Sequence, residues 1–185
     1  MNRLLLVVVI ALGAVLVAVG AAIAPAIAGD GPLSPALQEV RKAVAQYHSP
    51  QQAVRDGYVF VAGEPCVASP PDPPDPDHGG GTMGVHVPNP PLLMNNAIDP
   101  SRPELLLYVP NGNGKLKLVG VEYWKVDNDQ NLATDDDRPA LFGEDFDGPM
   151  EGHTPTMPRH YDLHVWVAEA NPSDVFAMFN PAISC

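Results

Sequence analysis

The chain has 185 residues, among them 22 prolines and 16 glycines, and a formal net charge of −12. That length supports one compact domain, and so much proline and glycine points to a turn-rich, mainly β fold rather than a helical bundle. The acidic surplus excludes nucleic acid and anionic membrane surfaces as partners, since both need a basic face.

Residues 1–28 read as an export signal. Arg3 supplies the positive start, Leu4 to Val19 the apolar core, and Ala26-Ile27-Ala28 an A-x-A cleavage site before Gly29. The apolar run, about 24 residues, is also long enough to stay as a membrane anchor, and membrane contact is expected only in that case. Either way, residues 29–185 form a single exported domain that is secreted, periplasmic or attached to the cell envelope. The two cysteines, Cys66 and Cys185, fit that compartment. An even count in an exported chain favours a disulfide, with a pair of buried free thiols as the alternative.

After a linker to Leu33, Ser34-Pro35 opens a helix whose apolar stripe is Leu37, Val40, Val44 and Tyr47. A second short helix restarts at Ser49-Pro50 with a capping-box pattern and stops at Asp56-Gly57, which leaves His48 in the joint. Tyr58 to Val61 reads as a strand. Residues 69–81, rich in Pro and Asp and then in Gly, read as an exposed insertion in which His78 is solvated.

Met83 to Val87 alternates, with Met83, Val85 and Val87 on one face and Gly84 and His86 on the other. A loop over 88–103 leads to an apolar strand from Glu104 to Val109. Asn111-Gly-Asn-Gly114 is a hairpin turn, and Lys115 to Val126 returns as the longest strand. Strict alternation puts Leu116, Leu118, Gly120, Glu122 and Trp124 on one face of it. Asp127 to Arg138 is an acidic loop; its Asp127-Asn-Asp129 resembles the start of a calcium loop but lacks the glycine and glutamate that would complete one. Residues 139–150 lead into a long loop carrying Met150, His153 and Met157. His160 to Val167 alternates cleanly. Tyr161, Leu163, Val165 and Val167 face one way, and His160, Asp162, His164 and Trp166 the other. Asn171 to Phe179 is expected to open with a helical turn.

The predicted fold is therefore one antiparallel barrel or sandwich with two short N-terminal helices. His86, Glu122, His160 and His164 form its candidate metal site. A carboxylate on an inward, partly apolar face is costly unless paired or bound to a cation. Imidazoles with a carboxylate suit Zn, Cu, Fe or Mn. Asp162 and Trp166 would orient or support the ligands, and His153 would act as a lid or acid–base group. No serine sits in a nucleophile elbow, and no glycine loop is placed to cradle phosphate.

Met83-Gly-Val-His86, Arg102-Pro-Glu-Leu-Leu-Leu-Tyr108, Leu118-Val-Gly-Val-Glu-Tyr123, His160-Tyr-Asp-Leu-His-Val-Trp166 and Asn180-Pro through Cys185 occur in that order. In these motifs the chain resembles a widespread uncharacterised family of exported bacterial proteins. The resemblance covers Tyr47 to Cys185 and implies extracytoplasmic residence and a Cys66–Cys185 disulfide. It carries no activity across. Val87 departs from the family pattern, where an aromatic residue follows the histidine, and the acidic insertion is peculiar to this chain. The sequence thus supports an exported protein binding a divalent metal or small molecule through a His/Glu-lined β pocket. A metal-dependent oxidoreductase or hydrolase is the first alternative, and a structural envelope protein the second.

Overall fold

The computed structural model describes residues 32–69 and 80–185. The proposed signal or anchor and most of the acidic insertion, including His78, lie outside the described residues. No helix among the described residues is long and apolar enough to cross a membrane.

The chain runs α1 (Pro35–Val44), a 3-10 turn (Ala45–His48), α2 (Pro50–Arg55), β1 (Val67–Ala68), β2 (Thr82–Pro88) and α3 (Pro90–Asn95). It continues through β3 (Leu105–Pro110), β4 (Leu116–Val126), β5 (Ala140–Leu141), β6 (Glu144–Asp145), β7 (Asp147–Met150) and β8 (His160–Val165). Six strands form one antiparallel sheet in the order β1-β2-β3-β4-β8-β7, curled into a half-barrel, while β5 and β6 make a separate pair. The fold is mainly β, as the composition requires.

α1, the 3-10 turn and α2 cover one face of the sheet, while Leu93 and Met94 of α3 border the other. Leu37, Val40, Val44 and Tyr47 all point inward from α1 and the turn after it, and they pack with Leu106, Tyr108, Val121, Tyr123, Tyr161, Leu163 and Val165 in one buried cluster. Two tyrosine hydroxyls anchor this layer: Tyr108 donates to the Tyr47 carbonyl and Tyr58 to the Pro103 carbonyl. The opposite face carries a small cluster of Leu107, Val109, Val119 and Trp166, and beyond it the imidazoles and carboxylates.

Strict alternation fails in β4. Leu107 pairs with Gly120 but Tyr108 pairs with Leu118, so Val119 is an extra residue, a β-bulge. The bulge moves Leu118 to the helix-covered face beside Val121 and Tyr123, and Val119 to the other face beside Leu107 and Trp166. Glu122 therefore does not share its face with Leu118, as a period of two along the whole strand predicts.

Other expectations are corrected by local chemistry. Tyr58 to Val61 is not a strand: Val59 N–H donates to the Pro88 carbonyl, but Pro88 has no N–H to return the bond, and no ladder forms. Residues 90–95, read as loop, form α3, with Pro90 and Pro91 in its first turn and Asn96 left-handed at its end. Ser34 caps α1 by accepting from Leu37 N–H, but the Ser49 hydroxyl turns to Gln51 and makes no cap bond to α2. Asn171 to Phe179 contains turns and no helix, because the Asn171 and Asp174 side chains accept from Ser173 and Phe176 N–H and hold the backbone in Asx turns.

Cys66 and Cys185 are joined across 119 residues of sequence, with Cα atoms 5.7 Å apart. Such a bond belongs to an oxidising compartment. It ties the C-terminus to the start of β1. Reciprocal Thr82–Asn180 backbone bonds of 3.0 Å and the buried Asn171 and Asn180 amides hold the same segment. A loop of this length contributes about 4–5 kcal/mol in the chain-entropy model. Reduction is expected to lower the unfolding free energy toward that amount, and non-reducing digestion should yield one peptide pair joined at Cys66 and Cys185. Gly84 (φ +102°) lies in β2, where an added Cβ would stand 2.6 Å from the Tyr108 carbonyl oxygen. Gly84→Ala is therefore expected to destabilise the fold by about 2 kcal/mol or more in denaturant titration.

Candidate metal centre

Register across four strands places the site. On β2, His86 lies opposite Leu107; on β3, Leu105 lies opposite Glu122; and Glu122 of β4 lies opposite His164 of β8. Side chains at paired positions share a face, so all of these project from the face opposite α1 and α2. His86 and Glu122 are separated by β3, and the curl of the sheet closes that gap. His86 Nε2 is 3.2 Å from Glu122 Oε2, and His164 Nε2 is 3.9 Å from the same oxygen. The two imidazoles meet edge to face at 5.8 Å.

Among the described residues, His86, Glu122 and His164 are the set of His, Cys, Asp and Glu side chains whose ligand atoms all lie within 4.8 Å of one another. Ligands about 2.1 Å from a common metal are separated by roughly 3–4.2 Å for angles between 90° and 180°. The observed separations match that range. Glu122 and His164 are almost fully buried, yet Glu122 Oε2 and both His164 ring nitrogens have no hydrogen-bond partner. Unsatisfied buried polar atoms are rare because each costs of order 1–3 kcal/mol. Glu122 Oε2 and His164 Nε2, both without a partner and 3.9 Å apart beside His86, fit a cation, which the set can accommodate; His164 Nδ1 lies on the Asp162 side of the ring.

The other expected residues lie nearby. Asp162, opposite Trp124, sits between the two histidines of β8; its Oδ1 is 3.7 Å from His164 Nδ1, and its Oδ2 is 3.8 Å from His160 Nε2. His160 is not brought into the set of three. Its register partner is Val126, two same-face positions along from the Glu122–His164 pair. The Trp124 indole stacks on it at 5.5 Å and the His153 ring meets it at 5.2 Å. Its Nδ1 is bonded to the Pro158 carbonyl, which leaves Nε2 buried without a partner. Trp166 stacks on His164 at 6.4 Å, and its indole N–H is held by the Ala177 carbonyl. Gly120 has no Cβ, and one there would stand 3.1 Å from that indole, so the bulge and the glycine together make room for the tryptophan.

Burial governs the ionisation of these groups. It lowers His86 to about 4, helped by repulsion from His153 and opposed by a hydrogen bond to the Gly84 backbone. It holds His164 well below the ordinary imidazole range, with His86 and His153 adding to the effect. Burial also lowers His160 to about 4. The carboxyls move the other way. Burial, with Asp162 and Glu104 next, holds Glu122 well above its ordinary value; burial and then Asp147 push Asp162 to about 8. Burial thus favours the neutral form of the imidazoles and of the carboxyls alike.

Glu104 was not among the residues expected here. It is 1% exposed at the start of β3, accepts from Trp124 N–H, and is raised to about 7 mainly by burial. Its signal was an acid heading an otherwise apolar strand, Leu105 to Val109. Asp127 is buried too, and neither of its carboxylate oxygens has a hydrogen-bond partner.

The site opens into a cavity of about 870 Å³ lined by His86, Glu122, Asp162, His164 and Trp124, with His153 in the 150–158 segment that borders it. No family model, no curated protein and no solved structure matches the chain.

The opposed shifts make a pH signature. His86, His160 and His164 have folded values below 6.5, so between about pH 4 and 6.5 the unfolded chain binds their protons and the fold loses stability as pH falls. Glu104, Glu122 and Asp162 have folded values above 3.8–4.5, so the fold keeps their protons; that contribution is full at low pH and is lost as pH rises through their folded values. The two sets oppose each other below 6.5, and only the carboxyls act above it. Chelator-treated protein is therefore expected to lose stability from pH 6.5 to 8, at up to about 1.4 kcal/mol per pH unit per carboxyl. Chemical denaturation at pH 5.5, 6.5, 7.2 and 8 measures this, and a rise in stability over that range would contradict it.

Proposed function

We propose that this is an exported protein that binds a divalent transition metal through His86, Glu122 and His164, with coordination positions left open toward the cavity. The observation that carries this reading is the convergence of three ligand atoms within 4.8 Å, two of the side chains being buried with polar atoms that lack a partner. Two imidazoles and one carboxylate form a ligand set used for catalytic zinc and for non-haem iron, so Zn, Fe and Mn rank ahead of Cu. Asp162 Oδ1 lies 3.7 Å from His164 Nδ1, longer than a hydrogen bond but on the side from which acidic partners of ligating histidines commonly act. His160 belongs to the same acidic wall and acts on the metal's surroundings rather than as a ligand. The export signal over 1–28 and the membership suggested by the ordered motifs are part of the same proposal, supported by a disulfide of the kind made outside the cytoplasm.

A second reading, a metal-dependent hydrolase or oxidoreductase, is favoured by one observation. Three protein ligands would leave room for water or substrate on a bound metal, and all three residues line the cavity.

Tag-free protein is expected to carry about one metal ion per chain in elemental analysis. Loss of a partner that only orients a ligand already weakens binding 10–100-fold, so Glu122→Gln and His164→Ala should each weaken it more than about 100-fold. His48→Ala should leave it unchanged. Burial favours the protonated form of Glu122, so metal binding should release protons, seen by calorimetry in buffers of different ionisation heat, and affinity should rise with pH. A metal-free native preparation that also binds none of Zn, Fe or Mn at micromolar concentration would overturn the proposal.

A further inference from the structure

The cavity walls differ sharply from its floor. Five of the chain's six methionines, Met83, Met94, Met150, Met157 and Met178, line it, and the sixth is Met1. They come from β2, α3, β7, the 150–158 segment and the C-terminal segment, so the clustering is made by the fold and not by neighbourhood in sequence. Leucine, valine and proline side chains and the face of Trp124 complete the walls. Among the described residues the lining contains no lysine and no arginine, although the chain has 10, and its acidic groups are Glu64, Glu122 and Asp162. His86, Glu122 and His164 belong to the same lining.

These features select a ligand. A volume of about 870 Å³ lies within the 300–1,000 Å³ range of small-molecule sites. Phosphorylated or multiply anionic compounds are disfavoured, since the cavity offers them acids and no cation beyond the metal, and the net charge of −12 repels them on approach. Methionine is unbranched, polarisable and adaptable, and surfaces rich in it accept apolar bodies of varied shape, aromatic rings above all. Deepening the metal-site reading on which it partly rests, we propose that the cavity binds an uncharged, mainly apolar small molecule. Its aromatic or alkyl body lies among the methionines, and a single oxygen donor is directed to the metal on His86, Glu122 and His164.

The neutral apolar fluorophore N-phenyl-1-naphthylamine, titrated into the tag-free exported chain, tests the methionine wall. Saturable binding at one site per chain, weakened at least tenfold in Met178→Glu and in Met83→Glu but not in Lys115→Glu, supports it. Absence of saturable binding, or equal binding in all three variants, overturns it. Two variants from different elements guard against one failing to fold, and far-ultraviolet circular dichroism checks each. Competition by 1-naphthol and by naphthalene tests the orientation. The naphthol is expected to compete at least tenfold better in zinc-loaded protein and no better after chelation or in His164→Ala. Equal competition in zinc-loaded protein overturns the oxygen-to-metal contact. If zinc does not bind but the fluorophore does, the metal-site reading falls and the apolar wall stands. If zinc binds and the fluorophore does not, the reverse holds.

Discussion

Glu122 faces His164 because β4 and β8 pair antiparallel in a register that also sets Tyr123 against Leu163 and Val121 against Val165. A one-residue slip of β8 against β4 would turn the β8 side chains to the opposite face, driving Asp162 and His164 into the helix-packed core and withdrawing Tyr161, Leu163 and Val165 from it. Burial of Tyr123, Leu163, Val121 and Val165 under α1 therefore forbids the slip. The hydrophobic layer on one face thus fixes the polar arrangement on the other. Everything chemical in this molecule is held in place by contacts that carry no chemistry.

Curvature is the second constraint. His86 and Glu122 belong to strands with β3 between them, and in a flat sheet those strands would stand about 9–10 Å apart. The rings and carboxylate meet because the sheet bends toward them. The bulge at Val119 and the absence of a side chain at Gly120 are the local devices for that bend, since bulges add twist and a glycine leaves room for Trp166 against the backbone. Trp166 in turn braces His164. A packing device in β4 thereby positions a ligand on β8.

Low dielectric then shapes the ionisation. Two imidazoles and a carboxyl are withdrawn from water, so burial favours the neutral form of each. Neutral imidazoles are the form that ligates a divalent cation, and a cation beside them would favour the ionised form of Glu122. The methionine wall above keeps that point in an apolar setting, where the metal's charge would be felt strongly by whatever sits beside it.

The sequence by itself determined the alternating face of β8, the stripe of α1 and the Asn-Gly hairpin, because these depend on local period and local turn chemistry. It also singled out His86 and His164, as polar groups on strands whose other face is apolar, and Glu122, as a carboxylate on a face read as partly apolar. It could not separate His160 from those three, since His160 and His164 share a face and differ only in which residue of β4 each one opposes. That is a matter of register. It placed Leu118 beside Glu122, because a bulge is invisible to a period of two. It did not reveal α3 or β7: α3 spans only 6 residues and β7 only 4, too short to show a period. The gathering of five methionines from distant segments around one cavity was decided by tertiary structure alone, for proximity between residues far apart in a chain depends on which strands pair and how the sheet curls, and neither is written in any local stretch.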